Sequence, residues 1–390
     1  MNNYILPLMS DNISKYDIDE VIKFLSQESI PKLTNGPKVI EFENSWGNWL
    51  GTKYNLFVNS GASANELTML ALSHMFGEGE IIVPPLTWIS DIASVLFSNQ
   101  KLIFVDINFQ NLSFDIHKLK NAINSNTKAI FLTHVLGING LTEELLDLCE
   151  KNNIILIEDV CESHGTTFKN LKVGNFGFAS NFSFYFAHHM STIEGGMIST
   201  NNKEFYQICR ALRSHGMVRE ITDDDMRNKI INENIDLNPD FIFLRPSHNF
   251  RSTEINAVIG LSQLKNLDSN NESRKSNFEY FIKNLSPEKY FTNFNIEGQC
   301  NYAFIVILKD KSLEKRNLLE EKMKKAKIEF RRGLSGGGNQ MRQPFFKNIY
   351  SDFSDFESIE HIHNYSWYIG NYPSLEKEKI DYLLQILNNF

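Results

Sequence analysis

The chain has 390 residues, of which 42% are hydrophobic and 22% charged, and carries a net charge of −8. These are globular proportions, and the length calls for one large domain and one smaller one. The acidic balance leaves no basic footprint for DNA or RNA, so a phosphorylated ligand would need local cations. Short apolar runs and helical patterns then alternate. NLFVNSG leads into SANELTMLALSHM, EIIVPP into WISDIASVLFSN, and KLIFVDI into DIHKLKNAIN. KAIFLTHVLG precedes TEELLDLCEKN, and NIILIEDV follows. Continuous apolar runs of this length predict strands buried on both faces. Their alternation with helices predicts an α/β fold with a mainly parallel sheet.

Ligands of such sheets gather at the carboxyl ends of the strands. That singles out Ser60–Ser63, Pro84–Trp88, Asp159–Glu162 and Ala187–Glu194. From about residue 250 the character changes to long helical sequence, with strand-like NYAFIVILK and KIEFRRG further on. Residues 1–250 are therefore assigned to the large domain, and 251–390 to a long connecting helix and a small α+β domain. The N-terminal helix is free to pack on the smaller domain.

No apolar run approaches the roughly 20 residues of a membrane span. The start MNNYILPLMSDNISKYD lacks a basic stretch followed by an apolar core, so a cytoplasmic protein is expected. Cys149, Cys161, Cys209 and Cys300 fit neither a metal knuckle nor a disulfide framework. Free thiols and no metal are expected.

Four stretches could carry chemistry. In VNSGASANEL, small residues open a helix, where free N–H groups attract phosphate; small residues open ordinary helices too. In ILIEDVCESHG, Glu158 and Asp159 end a buried strand and need partners, either a protonated heterocycle or a cap and salt bridge. Trp88 could stack on a flat ring or belong to the core. NFSFYFAHHMSTIEGGMIST reads as strand, turn, strand, with His188-His189 in the turn. Together the pieces outline a pocket for pyridoxal phosphate that lacks one element, a lysine to hold the cofactor covalently. None occurs between residues 173 and 202.

At these positions the chain resembles the sugar aminotransferase family of fold-type I pyridoxal phosphate enzymes. The family pattern S-F-x-x-x-K-N-L-T-T-x-E-G-G aligns with Ser183 to Gly196 and puts His188 at the lysine. The pattern E-D-A-A-Q aligns with Glu158-Asp159-Val160-Cys161-Glu162, replacing Gln by Glu162. LRSHGM and NFRSTEINAVIGLSQL are similar to further family segments. The two replacements together resemble one branch, the 3-dehydratases of nucleotide-activated 4-keto-6-deoxy sugars, in particular those acting on GDP-4-keto-6-deoxymannose. A second histidine-bearing group carries an iron–sulfur cluster on clustered cysteines, which this chain does not have.

The resemblance implies pyridoxal 5′-phosphate and pyridoxamine 5′-phosphate as cofactors, without an iron–sulfur cluster. It implies a nucleotide-sugar substrate, L-glutamate as amino donor, ammonia release, and a homodimer with shared active sites. His188 becomes the catalytic base. Asp159 would pair with the ring nitrogen, Trp88 stack on the ring, and Glu162 lie near the ring hydroxyl. Gly61, Ala62, Ser63 and Ser183 would meet the phosphate, with Asn249 reaching it from the partner subunit. His215, Arg219, Arg331 and Arg332 are candidate substrate contacts, and Arg342 is a further candidate cation. Three glycines after two arginines, in EFRRGLSGGGNQMRQPFF, suggest a flexible loop that closes over the sugar nucleotide. The competing readings are an aminotransferase using another lysine and a non-catalytic relative.

Overall fold

A computed structural model describes residues 4–10 and 12–390. The apolar runs become strands β1 (Tyr54–Val58), β2 (Glu80–Val83), β3 (Lys101–Phe104), β4 (Thr127–Thr133) and β5 (Ile155–Asp159). A short hairpin, β6 (Thr167–Phe168) and β7 (Leu171–Lys172), precedes β8 (Ala179–Ser183) and β9 (Gly196–Thr200). Seven strands form one sheet in the order β1-β9-β8-β5-β4-β2-β3. Only β9 runs against its neighbours, β1 and β8; the other pairings are parallel.

Successive side chains of a strand point to opposite faces, and helices cover both. Ile81, Phe131 and Ile157 pack with helices Gly61–Phe76 and Lys203–Arg213 on one face. Ile82, Leu132 and Leu156 pack with helices Pro37–Leu50 and Glu143–Asn152 on the other. Two-sided burial is why the sequence shows unbroken apolar runs and not an alternation of polar and apolar residues.

The smaller unit is an antiparallel sheet of β10 (Ala303–Ile307), β11 (Phe330–Arg332) and β12 (Ser366–Gly370), in the order β10-β12-β11. Phe304, Val306, Trp367 and Ile369 share its core with Phe281 of helix Leu267–Asn284 and Leu383 of helix Lys377–Asn388. Leu6 joins this core and bridges to Ile328. The first helix, Lys15–Leu25, instead packs on helix Glu254–Leu264.

The helical stretch after residue 250 breaks at Lys265-Asn266 into helices Glu254–Leu264 and Leu267–Asn284. The first lies against helix Pro37–Leu50 and puts Ala257 into the large core. The change of packing partner therefore falls near residue 265. At residue 250 the sequence changes because strand runs cease, while the packing continues.

Helix Pro37–Leu50 begins at Gly36, which offers no capping side chain. The buried Glu254 carboxylate caps it from outside, accepting the N–H groups of Gly36 (3.0 Å), Lys38 (2.9 Å) and Val39 (2.9 Å). Glu254→Ala leaves three donors without their acceptor, that of Val39 fully buried, and is expected to lower stability by about 3 kcal/mol. A fall in the urea midpoint at unchanged slope would register it.

Candidate active site

The loops after β1, β2, β5 and β8 meet around a cavity of about 360 Å³. Ser60, Gly61 and Ala62 come from the first loop, Trp88 and Ser90 from the second, and Asp159, Cys161 and Glu162 from the third. The fourth contributes Ser183, Tyr185, Ala187, His188 and Glu194. Tyr302, Ser335, Gly336 and Tyr368 of the smaller unit complete the wall. A more open groove of about 590 Å³ between helices Lys15–Leu25 and Glu254–Leu264 gathers lysines, glutamates and apolar groups without converging chemistry.

One end of the cavity is a helix start. Ser60 caps helix Gly61–Phe76 by accepting the Ser63 N–H at 3.0 Å. The Ser63 hydroxyl donates to Asn59 at 2.5 Å and does not line the cavity. Ser63 is thus held within the helix start, its N–H on the Ser60 cap and its hydroxyl on Asn59. The backbone of Gly61 and Ala62 remains facing the cavity. Gly61 must be glycine, because a Cβ there would sit 2.6 Å from Ser183 Cβ.

At the end of β5 the two adjacent carboxylates divide the work. Glu158 accepts N–H groups from Gly174 (2.8 Å), Phe176 (2.9 Å) and Gly177 (2.7 Å) and pairs with His134 Nε2 at 3.1 Å. It is structural. Asp159 faces the cavity and accepts the Cys161 N–H (2.8 Å) and Asn65 Nδ2 (3.1 Å). No cationic side chain among the described residues bonds to it. The same Asn65 nitrogen donates to Asp91 at 2.6 Å, and Thr87 and Thr133 also donate to Asp91. Burial and the neighbouring Asp159 charge hold the Asp91 carboxyl well above its ordinary range, against the opposing Thr87 and Thr133 hydroxyls. Trp88 is 54% exposed at the rim, so it is not a core residue.

His188 sits in the β8–β9 turn. Its N–H donates to the Tyr185 carbonyl at 3.0 Å, and its carbonyl accepts from Asn12 at 3.0 Å. Asn256 on helix Glu254–Leu264 donates to the carbonyls of Thr192 (2.5 Å) and Glu194 (3.0 Å), pinning the far side of the turn. Burial pushes the His188 imidazole down to about 4; the Asp159 charge opposes this and Arg274 adds to it. His164 and His189 lie behind it, with ring centroids 5.2 Å apart, and burial holds both well below their ordinary value. His188 therefore meets the cavity as a neutral base at pH 7. Glu162 accepts the Leu136 N–H and the Ser335 hydroxyl, each at 3.0 Å. Burial pushes its carboxyl up to about 7, and these two hydrogen bonds pull the other way.

Of the other sequence candidates, Arg332 is bound to Glu320 at 2.6 Å and does not line the cavity. Arg331 is paired with the lining residue Tyr368 and shares its face, so Arg332 turns away, but Arg331 is itself bound to Glu329 at 3.3 Å and also lies outside the lining. Arg342 is committed to Glu360. His215, Arg219 and Asn249 are exposed and lie outside the lining of this chain's cavity. The sequence reading missed Tyr185, Tyr302 and Tyr368 as lining residues, and Asn65 and Asp91 beneath Asp159. Tyr185 sits three residues before His188 and was within reach. The other four carry no local signal.

The fold and the pocket are those of a pyridoxal-enzyme scaffold with a histidine at its reactive turn. The chain belongs to the DegT/DnrJ/EryC1/StrS aminotransferase family, whose profile matches residues 12–388. It is 31% identical over 369 residues to the GDP-4-keto-6-deoxy-D-mannose 3-dehydratase of Escherichia coli O55:H7, covering 91% of this chain and 92% of that one. It is 32% identical over 290 residues to a Campylobacter jejuni UDP-4-amino-4,6-dideoxy-N-acetyl-beta-L-altrosamine transaminase, covering 73% and 71%. A solved GDP-4-keto-6-deoxymannose-3-dehydratase with a trapped PLP-glutamate geminal diamine superposes with a TM-score of 0.86 at 29% identity, covering 99% of this chain and all of that one.

The buried imidazoles give a signed pH dependence to the cofactor-free protein. Their pKa values are lowered by folding, so the unfolded chain binds the extra protons below about pH 6.5 and stability is lost as pH falls through that point. Glu162 and Asp91, raised by folding, oppose this, while His74, His361 and His363, also lowered by burial, add to the histidine side. The melting temperature is expected to fall between pH 6.5 and 5. His164→Phe should flatten that slope in thermal melts run across the range.

Proposed function

We propose that this chain is a pyridoxal-phosphate-dependent 3-dehydratase that removes the C3 hydroxyl of a nucleotide-activated 4-keto-6-deoxy sugar. GDP is the favoured nucleotide and the sugar is a hexose or heptose. The observation that carries this reading is His188, a neutral base at the turn where aminotransferases of this family hold a lysine, in a pocket that keeps the rest of the cofactor-binding set.

The residues fit the cofactor. The Asp159 carboxylate lacks a cationic partner among the described residues and suits a protonated ring nitrogen. The exposed face of Trp88 offers a plate for the ring. The amides of Gly61 and Ala62, with Ser183, form a cradle for phosphate that any Cβ on residue 61 would fill. When bound, the cofactor supplies an electron sink and an amino group, taken from glutamate and released as ammonia.

The chain's own groups do the rest. Asp159 holds a proton on the ring nitrogen. His188 forms no stable covalent link to the cofactor, so its imidazole is left free to take and return a proton. It abstracts the proton beside the ring and then, directly or through water, protonates the departing C3 oxygen. Tyr185, Tyr302 and Tyr368 line the cavity and bound the space left for the sugar.

A homodimer and a cytoplasmic setting belong to the same proposal. Asn249, His215 and Arg219 are exposed outside this chain's cavity, which suits their delivery to the cavity of a second copy. The four free cysteines suit a reducing compartment.

The test is incubation of the protein with pyridoxal phosphate, glutamate and GDP-4-keto-6-deoxymannose. Ammonia and a sugar product lighter by one oxygen atom are expected. His188→Asn should lower the rate by about 10² or more. An amino sugar without ammonia would restore the transaminase reading. Mixing His188→Asn with Asn249→Ala protomers should regain activity if sites are shared; additive residual rates would refute sharing.

A further inference from the structure

The glycines at 336–338 read in the sequence as a flexible loop, and the structure shows a braced one. The Gly337 N–H donates to Leu334 (3.0 Å), the Gln340 N–H to Pro85 (3.1 Å), and Gln340 Nε2 to Gly336 (2.6 Å). Gly336 has φ +64°, and a Cβ on it would collide with the Thr87 carbonyl. The loop of the smaller unit thus lies directly on the β2 loop that carries Trp88. Its one buried hydroxyl, Ser335, is 2% exposed and points at Glu162.

The two oxygens of Glu162 are then held from opposite units. Leu136 of the larger unit donates its N–H to Oε2, and Ser335 of the smaller unit donates its hydroxyl to Oε1. No cation among the described residues pairs with this carboxylate. The other titratable groups lining the same cavity are Asp159 and Cys161 beside it in the chain, Tyr185, His188 and Glu194 from the β8–β9 turn, and the phenols of Tyr302 and Tyr368.

We propose that Ser335 is a positioning residue for Glu162, fixing its carboxylate in the pocket wall and favouring its charged form. The inference rests on the dehydratase reading for what Glu162 faces, and on this chain's geometry alone for how it is held. A neutral hydroxyl donor stabilises the anion, so its removal must raise the carboxyl pKa above the value of about 7 that burial gives with both hydrogen bonds in place. The glycines have a function in this account: they fold the loop tightly enough to bring one hydroxyl across the unit boundary.

The experiment is a pH titration of the full-length chain labelled with [δ-¹³C]glutamate, the Glu162 signal being assigned by its loss in Glu162→Gln. Ser335→Ala is expected to raise the Glu162 midpoint by roughly half to one pH unit. Ser335→Thr, which keeps the hydroxyl, should return it towards the parent value. The acid limb of kcat/KM for dehydration should move in the same direction as the midpoint. An unmoved midpoint in a folded Ser335→Ala chain overturns the role of Ser335 and leaves the dehydratase reading standing. A raised midpoint in a chain that releases no ammonia supports Ser335 and overturns the reaction instead.

Discussion

The site is organised around a buried negative charge that the protein itself does not neutralise. Asp159 stands at the end of a strand buried from Leu156 onward, with an amide and a backbone N–H for company and no cation among the described residues. Such a group is costly unless something positive arrives. Asp91 lies below it, and burial together with the Asp159 charge holds its carboxyl well above the ordinary range, against the opposing pull of the Thr87 and Thr133 hydroxyls. The pocket therefore presents one anion at its floor, and the exposed indole, the open helix start and the neutral imidazole are disposed around it. Remove Asp159 and the remaining groups have no fixed point to orient a ring.

The larger unit was readable from the sequence because buried parallel strands write themselves as apolar runs, and their carboxyl ends locate the ligand. Trp88, Asp159, Glu162, Ser183 and His188 all fall there. The failures have physical causes. Ser60 and Ser63 look alike in sequence, yet Ser60 caps the helix and lines the cavity while the Ser63 hydroxyl turns to Asn59. Arg331 and Arg332 look alike in sequence, yet the pleat sends them to opposite faces, one of them to Glu320. Tyr302 and Tyr368 come from a different unit, and no local pattern announces a contact made across the chain.

The glycine segment illustrates how composition can mislead. Successive glycines argue for freedom in an unfolded chain. Here hydrogen bonds to Leu334, Pro85 and Gln340 use the permitted conformations to build a compact brace. The smaller unit thereby adds a polar hydroxyl and two phenols to a wall otherwise made by the larger one.

The β8–β9 hairpin has a further consequence. Its two strands are buried along their whole length and paired residue for residue from Ala179–Thr200 to Ser183–Gly196. A slip of one residue would turn every side chain to the wrong face, so the hairpin has one register. The turn it carries is held by backbone carbonyls, through Asn12 and Asn256, and not by the side chain of residue 188. The scaffold is thus indifferent to which base occupies that position. A change of side chain at residue 188 therefore costs the hairpin none of the hydrogen bonds that hold its turn.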